Sequence, residues 1–244
     1  SSAASDVYKR QLMETPRVNY SFDFSVPLAY WPDFLAGAWT TLALSLSATV
    51  FGFLVGVFCA LAKTGSQKWL AHLASAYVEL IRNTPLLVQV FIVYFGLSSM
   101  GLQLGAFAAA TIALVINVAA YTSEIVRAGI DSIPKGQLEA AECMALSRWQ
   151  TLCHVVLPPA IERVYPALTS QYVLLMLASS ICSQISAEEL TAVANRIQSD
   201  TFRSVETYLI VAVAYLLMSL VMRGIFWLLA MLAFPRLRRL GTPI

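Results

Sequence analysis

Apolar residues gather in five long runs along this chain, separated by polar and turn-forming segments. The runs cover roughly Phe34–Ala62, Leu70–Leu97, Ala106–Val126, Ala160–Ile185 and Tyr208–Phe234. At 1.5 Å rise per residue, about 20 apolar residues cross the hydrocarbon core of a bilayer. The pattern therefore predicts five spanning helices. The longest interruption is Arg127–Pro158, RAGIDSIPKGQLEAAECMALSRWQTLCHVVLP. Pro134 and Gly136 end the continuation of the third helix. Gln137–Cys143 then reads as a short helix, with Leu138, Ala141 and Met144 at spacings of three. Leu146-Ser147 reads as a turn, and Ser147 is the expected cap of a second short helix from Arg148. Trp149, Leu152, Val155 and Val156 give that helix an apolar side. Leu157-Pro158-Pro159 is expected to stop it before the fourth span. The polar stretch Ser186–Glu206 predicts a short helix or loop over the mouth of the bundle. In the N-terminal piece that leads into the first span, Tyr30, Trp31, Phe34 and Trp39 suit a membrane interface.

Composition agrees with the pattern. Of 244 residues, 58% are hydrophobic and 12% charged, against about 25% charged in soluble domains. The fold class expected is all-α and integral to a membrane. A net charge of +2 is too small to imply nucleic-acid binding. Cys59, Cys143, Cys153 and Cys182 are scattered without metal-ligand spacing, and neither His72 nor His154 has a partner in sequence, so no metal site is expected.

Lys and Arg set the expected orientation. Lys63, Lys68, Arg127, Lys135, Arg148, Arg163, Arg236, Arg238 and Arg239 fall on one side of a five-span chain. Arg196, Arg203 and Arg17 fall on the other. The insert 127–158 and the tail 235–244 are thus expected in the cytoplasm, and segment 12–33 outside. Residues 1–11, SSAASDVYKRQ, resemble a translated assembly scar, with a native start expected near Leu12 or Met13, and no cleavable signal peptide is visible there.

Polar residues inside the spans are the candidates for chemistry, because ionisable groups at membrane depth are costly. In the second span, Glu79 and Arg82 lie three apart and face the same way, which makes a pair possible. Thr84 and Gln89 sit nearby, and Pro85 removes a backbone hydrogen bond and is expected to kink the helix. Asn117, Tyr121 and Glu124 share one face of the third span. For Glu79, Arg82, Thr84, Pro85 and Glu124 two readings stay open, local structure or gating. Gln89, Asn117 and Ser180 are candidates for a polar substrate path, against a plain interhelical hydrogen bond. In the first span, Ala48, Gly52, Gly56 and Ala60 form a small-residue stripe for close helix packing, within the bundle or across a dimer.

The insert carries a resemblance. Glu139-Ala140-Ala141, then Ala145, then Val155-x-Leu157-Pro158 is similar to the E-A-A, three residues, G, nine residues, I-x-L-P pattern of type I ABC importer permeases. Ala145 stands where the pattern has Gly, and Val155 where it has Ile. Two further strings resemble the polar amino-acid branch: Glu79-Leu-Ile-Arg82-Asn-Thr84-Pro85-Leu-Leu-Val-Gln89, and Tyr121-Thr-Ser-Glu124-Ile-Val-Arg127 running on to Gln137. With Glu189-Leu190-Thr191, the likeness covers about Gly37–Phe234. It departs at Leu177-Ala178-Ser179-Ser180-Ile181, where the branch often has Lys-Asp/Asn-Thr/Ser-Ser-Leu.

The resemblance implies a five-helix permease bundle, residues 34–234, with a cytoplasmic coupling helix in the cell's inner membrane. It implies transport of a polar amino acid. Implied partners are ABC ATPase subunits, which would carry ATP and Mg, a second permease subunit, and an external substrate-binding protein. No G-x-x-x-x-G-K-[ST] phosphate loop is present, so the chain itself is not expected to be an enzyme or to hold a cofactor. The alternative is an ATP-independent secondary transporter or channel, with Glu79, Arg82 and Glu124 as an ion path.

Overall fold

The computed structural model describes residues 21–234 apart from residue 66. The expected scar 1–11 and the basic tail 235–244 lie outside the described residues. Among those described, every regular element is helical. In chain order they are α1 (Ser25–Leu28), α2 (Trp31–Thr64), α3 (Lys68–Arg82), α4 (Leu86–Ser99), α5 (Ala106–Asp131), α6 (Lys135–Cys143), α7 (Arg148–Ile185), α8 (Leu190–Thr201) and α9 (Ser204–Ala233).

Helices α2, α5, α7 and α9 are each long and apolar enough to span a bilayer. The centre of the bundle is the α2–α5 pair, where Leu44, Ala48, Ala113, Leu114 and Val118 are fully buried. The small-residue stripe explains the close approach. A Cβ on Gly52 would lie 2.2 Å from Val118 Cγ1, and one on Gly56 would lie 2.8 Å from the Ala119 carbonyl oxygen. The stripe thus packs within the chain. Contacts rise together along the two helices, Gly52 on Val118 and Gly56 on Thr122, so α2 and α5 run parallel. The chain between them must return to its starting face.

That return is not the continuous second span expected over Leu70–Leu97. It is two helices, α3 and α4, meeting at 110°. The break has a local cause. Pro85 has no N–H and restricts Thr84 to extended backbone, so the helix stops at Arg82. Gln89 then reaches back. Its Nε2 donates to the carbonyls of Ile81 (2.8 Å) and Thr84 (3.1 Å) and to Thr84 Oγ1 (2.9 Å), satisfying acceptors left open at the end of α3. The strongly amphipathic α3 buries Ala74 and Val78 and exposes Trp69, Leu73 and Leu80. The bent pair supplies the fifth crossing.

A second correction concerns Leu157-Pro158-Pro159. These residues do not stop a helix. The chain is helical without interruption from Arg148 to Ile185. Thr151–Val156 is wound as wide π turns, and the prolines occupy the first turn of the α-helical stretch Leu157–Ala178. Proline brings no N–H to the ladder and crowds the carbonyl one turn back, and the wider π winding just ahead of these two changes the ladder's register at that point.

Helix α7 is antiparallel to α5, with Ala160 and Val164 against Gly129 and Tyr172 Oη 3.4 Å from Thr122 Oγ1. Helix α9 runs back along α7, Tyr165 Oη donating to the Phe226 carbonyl at 2.7 Å. The insert and the end of α9 therefore share one face, and the start of α2 shares the other with α8. On that second face α8 lies across the bundle as expected. Leu190, Ala194 and Ile197 are fully buried, and Gly37 admits the backbone of Leu190.

Candidate functional site: the insert and the polar knot above it

The insert is a folded unit. Helix α6 begins after Pro134 and ends in two backbone bonds, Leu146 N–H to the Ala141 carbonyl (3.1 Å) and Ala145 N–H to the Glu142 carbonyl (2.9 Å). This is the Schellman closure, which needs a left-handed residue after the helix. Ala145 takes that role, with φ of 55°. The turn is thus kept although the residue has a Cβ. Ser147 caps the next helix as expected: its Oγ accepts from Gln150 N–H at 3.3 Å, and Gln150 Oε1 accepts from Ser147 N–H at 2.9 Å. Inside the hairpin Ile133, Val156 and Ala160 form a separate small core, with Ile130, Leu138 and Leu152 against it. Arg163 Nη1 donates to the Ser132 carbonyl and Oγ, locking the base of the insert to α7.

Exposure sorts the pattern residues. Glu139, Ala140 and Ala145 are open, as is Pro158, while Val155 and Leu157 are half-buried. Ala141 is only 2% exposed and belongs to the hairpin's interior. It holds the unit together, and the open surface is that of Glu139 and Ala140.

Directly above the insert lies a charged cluster. Glu124 on α5 accepts from Lys63 Nζ at the end of α2 and from Arg127 Nη2 at 3.1 Å; Arg82 Nη1 is 3.9 Å away. Arg127 also meets Asp131 at 2.6 Å. Arg82 stacks over the Tyr121 ring, 5.6 Å from its centroid. One carboxylate thus ties α2, α3 and α5 together. The pair expected within α3 is not formed: Arg82 turns to Glu124, and Glu79 lines the cleft between Lys63 and Arg127. Lys63 gave no sequence signal for this, because its partner comes from tertiary packing, whereas Arg127 lies three residues from Glu124 on the same helix.

The candidate path residues divide. Gln89 and Asn117 come together and are buried, Asn117 Nδ2 donating to Gln89 Oε1 at 2.9 Å. Gln89 spends its amide on the α3 terminus, so the two side chains form a tie from α5 to the α3–α4 bend. Ser180 stands apart in the tight last turns of α7, its hydroxyl donating to the Leu177 carbonyl at 2.8 Å.

On the opposite face Glu189 is fully buried. It caps α8 by accepting from Ala192 N–H at 2.8 Å, and it accepts from Tyr215 Oη at 2.8 Å; Leu190 N–H donates to Thr41 Oγ1 at 3.1 Å. Loss of water pushes the Glu189 carboxyl above the usual carboxylate range, and these hydrogen bonds pull it part of the way back.

With this arrangement described, comparison with known proteins is specific. Residues 52–232 match the model of the binding-protein-dependent transport system inner membrane component family. The chain belongs to this family. It is 36% identical over 221 residues to the nopaline transport system permease protein NocM of Agrobacterium fabrum, covering 84% of this chain and 92% of that one. It is 38% identical over 187 residues to the probable glutamine ABC transporter permease protein GlnM of Bacillus subtilis, covering 77% and 87%. Among solved structures, an amino acid ABC transporter crystallised with histidines superposes with a TM-score of 0.80 at 39% identity, over 86% of this chain and 99% of that one. The methionine transporter MetNI shares the fold, with a TM-score of 0.68 at 21% identity, over 82% and 95%. As a member of this family the chain is a membrane-spanning transport component, the permease of an ABC importer.

Proposed function

We propose that this permease imports a polar amino acid, driven by a separate ATPase that grips the insert. The observation that carries the reading is the insert itself. It is a closed hairpin with its own core, an exposed Glu139-Ala140 surface, and rigid continuity into α5 and α7. The names of its relatives, glutamine and nopaline permeases among them, support the substrate class. In this reading ATP and Mg are held by the ATPase, a second permease completes the pore, and an external binding protein delivers the substrate. The insert face, which carries Lys63, Lys68, Arg127, Lys135, Arg148 and Arg163, is the cytoplasmic one of the inner membrane, and the start of α2 lies outside.

The mechanism is mechanical. Closure of two ATPase subunits draws the α6 hairpins of two permeases together. Because Arg163 and the small core fasten each hairpin to its spans, the movement passes to α5 and α7 as a rigid-body tilt. The Glu124 cluster carries α2 and α3 along. The energy difference between inward-open and outward-open states comes from the partner's nucleotide state.

Glu139→Lys and Ala140→Asp test this on the open surface, away from the hairpin's core. Both should abolish ATP-driven amino-acid uptake in proteoliposomes and reduce ATPase co-purification, with membrane insertion unchanged. Normal uptake with normal co-purification in both variants would sink the coupling role.

A further inference from the structure

Gln89 has given its amide to the α3 terminus and its carbonyl oxygen to Asn117 Nδ2, so an amino acid crossing this subunit needs further polar partners elsewhere. Among the described residues, one guanidinium at membrane depth is unspent. Arg223 lies on α9, ten residues before Ala233, which places it about 15 Å along the helix from the insert face. It is exposed and makes no ion pair among the described residues. A free arginine at this depth is expensive against lipid, so the face that bears it belongs to water or protein.

The groove beside it is built for more than a cation. It runs between α7 and α9 and includes Tyr165, Thr169, Ser170, Arg223 and Trp227. Two of its hydroxyls have given their protons to backbone carbonyls, Tyr165 to Phe226 (2.7 Å) and Thr169 to Pro166 (2.9 Å). What those oxygens still offer is lone pairs, which accept. Arg223 offers only donors, and the exposed Ser170 hydroxyl donates beside it. Donors for a carboxylate thus stand next to acceptors for an ammonium, with an indole alongside.

The geometry points to this groove as a site for the zwitterionic backbone of a free α-amino acid. Arg223 and Ser170 hold the carboxylate, and Tyr165 Oη and Thr169 Oγ1 accept from the ammonium group. A guanidinium matches a carboxylate through two parallel hydrogen bonds. The inference rests on the import reading above and deepens it, because recognition of the part common to all amino acids leaves side-chain selection to other surfaces.

The test uses the permease with its ATPase. Wild-type complex in proteoliposomes is first offered L-glutamine, L-glutamate, L-arginine, L-histidine and L-cystine with the external binding protein, and the fastest is kept as probe. Binding of that radiolabelled amino acid is then measured in detergent without the binding protein. Loss of a charged hydrogen-bond partner should weaken it roughly tenfold to a hundredfold in Arg223→Met. Arg223→Lys, which keeps the charge and loses the fork, should fall between. The decarboxylated amine of the probe should compete poorly against wild type and as well as the amino acid itself against Arg223→Met. Unchanged affinity in Arg223→Met overturns the inference, as does a wild-type complex that transports the probe yet binds none alone. So does an Arg223→Met complex whose permease subunits separate on gel filtration, since the guanidinium would then pair with an acidic side chain of the second copy. If wild type takes up none of the five, the import reading itself fails.

Discussion

Single residues decide the shape of the insert. Ala145 sits at φ 55°, where an L-residue with a Cβ is less stable than in the right-handed region by about 1–2 kcal/mol. Ala145→Gly should therefore firm the Schellman turn by about 0.5–1 kcal/mol, seen as slower hydrogen exchange at Leu146 N–H. Ser147→Ala removes the cap and should cost about 1 kcal/mol, seen as faster exchange at Gln150 N–H. On the opposite face, burial favours the protonated form of Glu189. Its folded-state pKa is raised, so its contribution is fully present below the ordinary carboxylate value and is lost as pH rises through the folded value. Glu189→Gln keeps the acceptor for Ala192 N–H, turns the contact at Tyr215 into an amide N–H donating to the Tyr215 hydroxyl, and removes the buried charge. The variant should melt no lower than wild type at pH 8 and lose the carboxyl's share of the pH dependence. A melting temperature that falls in Gln as far as in Glu189→Ala would refute this account.

At the scale of elements, close packing and broken winding share the work. The α2–α5 contact exists because Gly52 and Gly56 lack a Cβ. Gly56→Ala would set a carbon 2.6 Å from Thr122 Cβ and 2.8 Å from a backbone oxygen, neither of which yields easily. Overpacking of this kind costs about 1–3 kcal/mol, so thermal denaturation of the purified complex should show a lower midpoint. The π turns at Thr151–Val156 and the Pro85 break act differently: both let proline sit in or beside a span, and the Pro85 break also turns the chain by 110°. Pro85→Ala alone should leave the bend in place, because Gln89 still caps α3 from the other side.

For the whole molecule, the Glu124 cluster links the spans to the insert. Its carboxylate faces Lys63, Arg127 and Arg82 at the level where α5 leaves the bundle. Glu124→Gln leaves three cations facing one another. With the cluster only partly exposed, loss of the charged hydrogen bonds should cost about 1.5–3 kcal/mol, and uptake should fall along with the melting temperature. Lys63→Met in the same background should recover part of the stability by removing one of the repelling charges, measured by the same thermal scan.

The sequence by itself determined the number of crossings, the helical class and the hairpin form of the insert. Each of these follows from local periodicity and from residues whose backbone preferences act at short range, such as Pro134 and Ser147. It also placed Glu139-Ala140-Ala141 on the insert. It did not show that Ala141 turns inward, that Arg82 leaves Glu79 for Glu124, or that Gln89 folds back on α3. Those outcomes depend on which helix lies alongside, and a spacing of three or four fixes a face without saying what the face meets. The run Leu70–Leu97 is long enough for one straight span; Pro85 marked a kink within it, and the full 110° turn appeared only in the folded chain. Arg223 was hidden for the same reason. As one charge in an apolar run it names no partner, and its meaning appears only once α7 brings Thr169 and Ser170 beside it.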